Sequence, residues 1–442
     1  MPVPRSRADL EAVQFERLRR LIEVVAASNP FYRERWRAAG LEAPMAVASL
    51  RDFAGRFPFT RKHDLVVDQQ LHPPYGTDLT FPPERYTRCH GTSGSTGHPL
   101  RWLDTPDSWS GLLDQWDRVY DAAAIGPGDR VFFAFSFGPF LGFWTAFEAA
   151  LRRGCMGLPG GGMTTVARLR SILDQQATVL CGTPTYALHL GEVARTEGLD
   201  LKASRVRRVV VAGEPGGSVP AMRAAIEAAW PGAQVVDHHG MTEVGPVSYG
   251  CPARPGILHV IEDAYLAEVI EPRSGAPVGD GELGELVLTT LNRVGSPLVR
   301  YRTGDLVHRV GGHAGWRCAC GTVELALEGG VVGRVDDMVV IRGVNVFPSA
   351  VDEIIRGLGG VLEYRVEVRS TGALLELALE AEPAPGTEPG MELRLEDALR
   401  TRLGLRVPVR MVEPGSLPRP ELKARRWVRT AEAESWRRTP AT

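Results

Sequence analysis

Apolar positions in the first forty residues recur at helical spacing. Leu10, Val13, Phe15, Leu18, Leu21, Ile22 and Val25 outline one face, and Pro30 in SNPFYRERW divides the run into two helices. Further on the pattern alternates. The continuous apolar runs RVFFAFSF (130–137), ATVLCG (177–182) and RRVVVAGEP (207–215) read as buried, mainly parallel strands. Amphipathic stretches near 105–123, 165–175, 185–197 and 218–230 read as helices between and beyond them. This is an α/β pattern, and such sheets place ligand-holding loops past the carboxyl ends of their strands, where CGTPT and AGEPGGS fall. Past about 260 the rhythm changes: YLAEVIEP, GELGELVLTTL and PLVRYRTGDLVHRV read as strands joined by tight turns. GRVDDMVVIRGVNVFPSAVDEII (333–355) then runs strand, turn and helix into a smaller α+β unit that includes EYRVEVRS and LLELALEAEP. The polar segment 381-AEPAPGTEPG-390 reads as a hairpin or strand–helix connection inside that unit.

Charge narrows the possible partners. Lys plus Arg number 51 against 53 Asp plus Glu, a net charge of −2, which gives no electrostatic reason to expect nucleic acid or an anionic membrane surface. No apolar run is long enough to span a bilayer. The first twenty residues lack the apolar core and cleavage site of a signal peptide. Six cysteines are too few for a disulfide scaffold, so a cytoplasmic location is the expectation.

The stretch 90-HGTSGSTGHPL-100 gathers glycines and hydroxyl residues in a way that suits either a flexible loop or an anion cradle. In a cradle the glycines let backbone N–H groups converge, and hydroxyls add donors without a fixed charge. The stretch lacks the Gly-Lys-Ser/Thr ending of the common nucleotide P-loop.

Four segments in order, SGSTGHP (93–99), HGMTE (239–243), YRTGDL (301–306) and GRVDDM (333–338), decide between these readings. Together they resemble the adenylate-forming (AMP-binding, acyl-CoA synthetase) superfamily. GVNVFPSAVDEI closely resembles its phenylacetate–CoA ligase branch, and the likeness extends from the N-terminal helices to LPRPELKARR. The resemblance implies a large N-terminal adenylation domain (1–335) of mixed and parallel sheets with helices. That domain would include a distorted barrel-like, β-rich, zinc-bearing subdomain at 250–325. A small mobile α+β domain would occupy 336–442. It also implies a reaction: a carboxylate and ATP give an acyl-adenylate and pyrophosphate, and the thiol of CoA then takes the acyl group.

In that reaction Thr92, Ser93, Ser95, Thr96 and the backbone of Gly94 and Gly97 would hold the β- and γ-phosphates. The chain carries His98 where the family usually has Lys, which leaves this task to N–H and O–H donors. Glu243 is the implied Mg²⁺ ligand, in keeping with a hard cation held by carboxylate, water and phosphate oxygens, and Thr242 the α-phosphate contact. Adenine would lie between the backbone of Gly213, Glu214 and Pro215 and the segment His239–Gly240, where the family commonly has Tyr before Gly. Asp305 would accept from both ribose hydroxyls, with Arg334 beside it and Asp336 as the hinge. Without its neighbours, TGD reads as a plain hairpin turn. Lys423 would bridge the substrate carboxylate and the α-phosphate as charge builds between them. A lone lysine near a terminus is otherwise a solvated surface charge, and only register with the family's LPR-x-x-G-K pattern singles it out, Leu422 standing for the usual Gly. In a second domain orientation Gly343, Val344 and Asn345 would line a tunnel for the pantetheine arm of CoA.

Cys251, His259, Cys318 and Cys320 could close a tetrahedral Zn²⁺ site, although CxC is not the usual CxxC knuckle. Members of the phenylacetate–CoA ligase branch show the same arrangement, and four protein ligands make such a zinc structural. Cys89, Cys155 and Cys181 are expected to pack as small apolar residues. Phe135, Phe137, Phe140, Trp144, the 160–163 GGGM segment and Tyr186 are candidate walls for the acid, although an aromatic run serves equally well as core. As a pocket they suit a flat aryl or compact cyclic acid. The expectation is an ATP-dependent acid–CoA ligase, and the resemblance alone suggests a homodimer. An amide ligase that hands the acyl group to an amine is the alternative. A zinc-bearing nucleic-acid-binding protein is disfavoured by the charge balance, and a catalytically silent acyl-nucleotide sensor would fit the three departures at His98, His239 and Leu422.

Overall fold

A computed structural model describes residues 6–41, 46–92, 99–337, 339–341, 344–371, 374–418 and 426–430. The opening apolar run forms helices Arg7–Ser28 and Pro30–Ala38. Asn29 ends the first and caps the second, its side chain accepting from Tyr32 N–H at 3.1 Å. The buried face includes Gln14 while Val13 is exposed. Gln14 Nε2 reaches the carbonyls of Glu262 (3.0 Å) and Tyr265 (2.9 Å), so a polar residue fastens this helix to the β-rich part of the chain.

Five short strands form a wholly parallel sheet in the order Met156–Pro159, Arg130–Phe133, Val179–Gly182, Arg208–Val211, Gln234–Asp237. Their alternation divides the core. Val131, Phe133 and Cys181 face one cluster with Trp116 and Leu141, whereas Phe132, Leu180 and Val209 face the other with Leu169 and Leu190. Threonine sets the start of three helices: Thr105, Thr164 and Thr183 cap Pro106–Ala122, Thr165–Asp174 and Pro184–Thr196. Each cap stabilises its helix by about 1 kcal/mol. The apolar run from 130 predicts a strand through 137, but the strand ends at Phe133. Phe135 and Phe137 leave the sheet to pack on Phe143 and Phe147 of the Leu141–Arg152 helix.

The β-rich half is a six-stranded antiparallel sheet, ordered Ser248–Gly250, Ile257–Val260, Ala326–Arg334, Tyr301–Val310, Leu283–Thr290, Tyr265–Ile270. Register shifts at Leu306–Val307 and Val307–His308 add local twist. Thr303, Gly304 and Asp305 lie within a strand and not at a hairpin turn. Gly304 has φ +77°, and a Cβ there would stand 2.9 Å from Arg334 Nη2, so both conformation and space favour glycine.

The C-terminal unit has its own core, with Val366, Leu379, Ile355 and Leu395 between a four-stranded sheet and helices Pro348–Leu358 and Met391–Leu403. The Pro/Gly segment after Pro383 is a strand–helix connection. The overall class is therefore mixed α/β with a curled sheet and a smaller C-terminal α+β unit. Cys155 and Cys181 are buried as expected. Cys89 is exposed: on the Arg88–Gly91 strand His90 turns inward and its neighbour must turn out.

Candidate active site

An antiparallel hairpin, Arg88–Gly91 with Arg101–Asp104, flanks the glycine–hydroxyl loop. Thr92 closes the neck of that loop, its N–H on Leu100 O (3.1 Å) and its Oγ1 accepting from Leu100 N–H (3.1 Å). Ser93, Gly94, Ser95, Thr96, Gly97 and His98 lie outside the described residues, as do Gly343, Leu422, Lys423 and the side chain of Asn345.

Thr242 and Glu243 sit in the tight turn of a second hairpin, Gly240–Met241 with Gly245–Pro246. Gly245 has φ +95°, and a Cβ there would come 2.3 Å from Leu112 Cδ2, so the turn can press on the Pro106–Ala122 helix only as glycine. Glu243 is buried, and Lys62 Nζ lies 3.0 Å from its Oε1. Lys62 comes from the N-terminal region, where Thr60 pairs with Tyr301 and so draws the start of the Lys62–Leu71 helix toward the site. Asp305 is held on both oxygens: Oδ1 takes Arg334 Nη1 at 2.9 Å, and Oδ2 faces His239 Nε2 at 3.0 Å. Arg334 also bonds Asp336 Oδ1 at 2.9 Å, so one guanidinium joins Asp305 to Asp336. Burial works against the Arg334 charge, but Asp305 and Asp336 hold its pKa above the ordinary value. The buried Tyr301 lies on the strand of Asp305 and bridges to Thr60, two residues before Lys62. Burial and then Glu243 push its hydroxyl well up, and Arg334 and Asp305 act on it too.

In the segment Gly213–Pro215 the Glu214 side chain has a structural partner. Glu214 accepts from the N–H (2.9 Å) and hydroxyl of Thr185, so its carboxylate braces the start of the Pro184–Thr196 helix. Gly217 must be glycine, since a Cβ would meet Asp237 Oδ1 at 2.3 Å. Asp237 is partly buried under this turn; desolvation raises its pKa to about 6 against the pull of the Ser218 hydroxyl. His238 places Nδ1 2.7 Å from Ser248 O, so that nitrogen carries the proton of a ring that burial keeps neutral, its pKa pushed down to about 4. The ring packs 4.5 Å from Trp116, whose Nε1 donates to Thr145 beneath the aromatic helix.

The candidate walls Phe135, Phe137, Phe140 and Trp144 join one ring cluster through two further residues, Phe143 and Phe147, with Trp144 at its half-exposed edge. Tyr186 is not among them. It belongs to the core on the other side of the sheet, where its hydroxyl takes Arg168 Nη1 at 2.6 Å. Sequence reasoning missed Lys62, Arg293 and Asp104. The last two form a buried ion pair behind the Glu243 turn, joined at 2.6 Å. Asp237 and His238 could have been found, since they abut HGMTE.

Cys251, His259, Cys318 and Cys320 converge, with their four ligand atoms all within 4.8 Å of one another. Cys251 Sγ is 3.7 Å from Cys318 Sγ, and Cys320 Sγ is 3.5 Å from His259 Nε2. Burial pushes His259 down to about 4, which keeps it in the neutral form a metal requires.

These elements match known proteins. The AMP-binding enzyme family model fits residues 91–292, and that of the AMP-binding enzyme C-terminal domain fits 343–430. A phenylacetate–coenzyme A ligase from Thermus thermophilus is 32% identical over 94% of this chain and 95% of its own length. The chain belongs to the family of AMP-binding enzymes, and within it to the kind represented by phenylacetate–coenzyme A ligases. Among solved structures, 2-hydroxyisobutyryl-CoA ligase in its postadenylation state, with 2-HIB-AMP, is 30% identical over 97% of this chain and 94% of its own, with a TM-score of 0.90. The same ligase in its thioesterification state, with 2-HIB-AMP and CoA, covers 98% of this chain and 94% of its own at 30% identity, but its TM-score is 0.72.

Proposed function

We propose that the protein is an ATP-dependent, AMP-forming carboxylic acid–CoA ligase that makes an acyl-adenylate and then a thioester. The observation that carries this reading is that His239, which meets Asp305 beside Arg334, opens the short hairpin whose turn presents Glu243 to Lys62. A carboxylate that holds a metal beside one that takes a ribose is the arrangement ATP needs when its α-phosphate is attacked.

Glu243 fits Mg²⁺. It is a buried oxygen donor with Lys62 on Oε1, and no protein donor lies on Oε2 among the described residues. Bound there with phosphate oxygens and water, Mg²⁺ would neutralise charge on the triphosphate. Lys62 balances the carboxylate and would be placed to turn to phosphate with Mg²⁺ on Glu243. Thr92 shapes the loop neck, so that Ser93, Ser95, Thr96, Gly94 and Gly97 can direct donors at the β- and γ-phosphates. Asp305 would take the ribose, Thr242 the α-phosphate, and Gly213–Pro215 with His239–Gly240 the adenine.

The adenylation domain is assigned to 1–335 and the small domain to 336–442, with Asp336 as the hinge. The TM-scores of 0.90 and 0.72 against two states of one ligase support this division. The present arrangement resembles the postadenylation state, and rotation about Asp336 would exchange Lys423 for Gly343 and Asn345 at the site. The Cys251, His259, Cys318 and Cys320 set fits one Zn²⁺, which would cross-link the two ends of the curled sheet's loops. The aromatic cluster favours an aryl or small cyclic acid.

ATP–pyrophosphate exchange across a panel of aryl, cyclic and short aliphatic acids, then product analysis with CoA or with amines, tests the reading. Acid-dependent exchange with acyl-CoA and AMP as products is expected. Amide as the only product would transfer the assignment to an amide ligase, and absence of exchange with every acid would refute adenylation.

A further inference from the structure

Arg293 and Asp104 are 1% and 0% exposed, and they meet through two parallel bonds, Nε to Oδ1 at 2.6 Å and Nη2 to Oδ2 at 2.7 Å. The third arm of the guanidinium, Nη1, donates to the carbonyls of Glu243 (2.6 Å) and Thr242 (3.4 Å). The next carbonyl, that of Val244, takes the Tyr265 hydroxyl at 2.7 Å. Three successive carbonyls of the turn are thus tied from behind, and the Glu243 carboxylate is left to Lys62 and the site.

The other end of the pair is equally placed. Asp104 is the last residue of the strand Arg101–Asp104, which leads out of the glycine–hydroxyl loop. One buried guanidinium therefore joins the phosphate-loop hairpin to the turn that carries Thr242 and Glu243. A buried ion pair is a weak stabiliser, because desolvation offsets its Coulomb attraction and apolar residues of similar volume serve as well. The core alone therefore gives no reason for arginine here. The geometry does, since only a rigid fork can hold a carboxylate with one edge and direct a further N–H at a separate carbonyl.

We infer that the Arg293–Asp104 pair is a positioning element that sets the register between the phosphate loop and the Glu243 carboxylate, so that both engage one Mg²⁺–triphosphate. The inference rests on the adenylating function proposed above. Metal ligands held by an outer shell of this kind lose about 10- to 100-fold in affinity when that shell is removed.

The test uses two probes on the intact protein, Mg²⁺ with α,β-methylene-ATP and adenosine without metal, each measured by calorimetry alongside thermal unfolding. Arg293→Lys keeps a charge opposite Asp104 but loses the arm to Glu243; Arg293→Met with Asp104→Leu replaces the pair by apolar volume. Both are expected to unfold near the wild-type midpoint and to bind adenosine, which lacks the phosphate that Thr242 would meet, as wild type does. Both should bind the Mg²⁺–nucleotide about 10- to 100-fold more weakly. Wild-type affinity for the Mg²⁺–nucleotide in either folded variant would overturn the inference, as would a parallel loss of both affinities, which a merely structural pair would produce. A wild-type protein that bound adenosine but no Mg²⁺–nucleotide would overturn the adenylating reading and this inference with it.

Discussion

Asp305 has both carboxylate oxygens engaged, one by Arg334 and one by His239. In the proposed site a ribose would share or displace these partners. Asp305→Asn keeps the size of the side chain and removes its charge. A hydrogen bond to a charged group contributes about 1.5–3 kcal/mol, so KM for ATP is expected to rise about 10- to 100-fold with a smaller change in kcat. Initial-rate kinetics at saturating acid and CoA check this, and an unchanged KM would remove Asp305 from the ribose site. Motif register singled out Asp305, Arg334 and Glu243, and the fold sets each in an ion pair. Lys62 and Arg293 were not legible. Lys62 meets Glu243 across 181 residues and Arg293 meets Asp104 across 189, and neither sits in a segment whose local pattern implies chemistry.

At the scale of elements, periodicity located helices and strands better than their ends. The run RVFFAFSF contains no signal that its strand stops at Phe133, because a residue leaving the sheet for an aromatic cluster is as apolar as one that stays. TGD looks like a turn when read locally, yet it lies inside a strand whose partner, Arg334, fixes Asp305. The Cys/His cluster was legible despite its unusual spacing, and the fold closes it from the Ser248–Val260 and 318–320 segments. Metal analysis is expected to find about one zinc per chain. Cys318→Ser should lose it and lower the thermal midpoint by several degrees, with any loss of activity following unfolding. A zinc-free protein with an unchanged midpoint would argue against a structural metal.

A second element-scale device is acidic. Asp78 is buried, and its Oδ1 has no hydrogen-bond partner among the described residues. Burial, and after it the nearby Asp68, raises its pKa to about 7, well above the usual carboxylate range. The folded state therefore retains a proton that the unfolded chain releases near pH 4. Its contribution to stability is complete at low pH and falls as pH rises from about 4 to about 7. Asp78→Asn should flatten the slope of thermal midpoint against pH between 5 and 7 and raise the midpoint above pH 7. An unaltered slope in calorimetric scans would exclude Asp78 as its source.

Across the whole molecule, the N-terminal layers carry the groups proposed to hold a nucleotide, just after the parallel strand Gln234–Asp237 and on the curled antiparallel sheet, and the C-terminal unit has its own core. Class and domain order were readable from the sequence because βα alternation, short strands and the final α+β segment differ in rhythm. The acid and the disposition of the two units were not, since an aromatic run has the same composition in core and in pocket. The central claim is that one ATP is held by Glu243 and Asp305 while Lys423, brought in by the small domain, promotes attack by a carboxylate. The most direct measurement is mass spectrometry of nucleotides from enzyme incubated with ATP, Mg²⁺ and the acid panel, without CoA, in wild type and Lys423→Ala. The account predicts enzyme-bound acyl-AMP in wild type and at least about 100-fold slower formation in the variant. ADP as the nucleotide product, or acyl-AMP formed equally fast without Lys423, would contradict it.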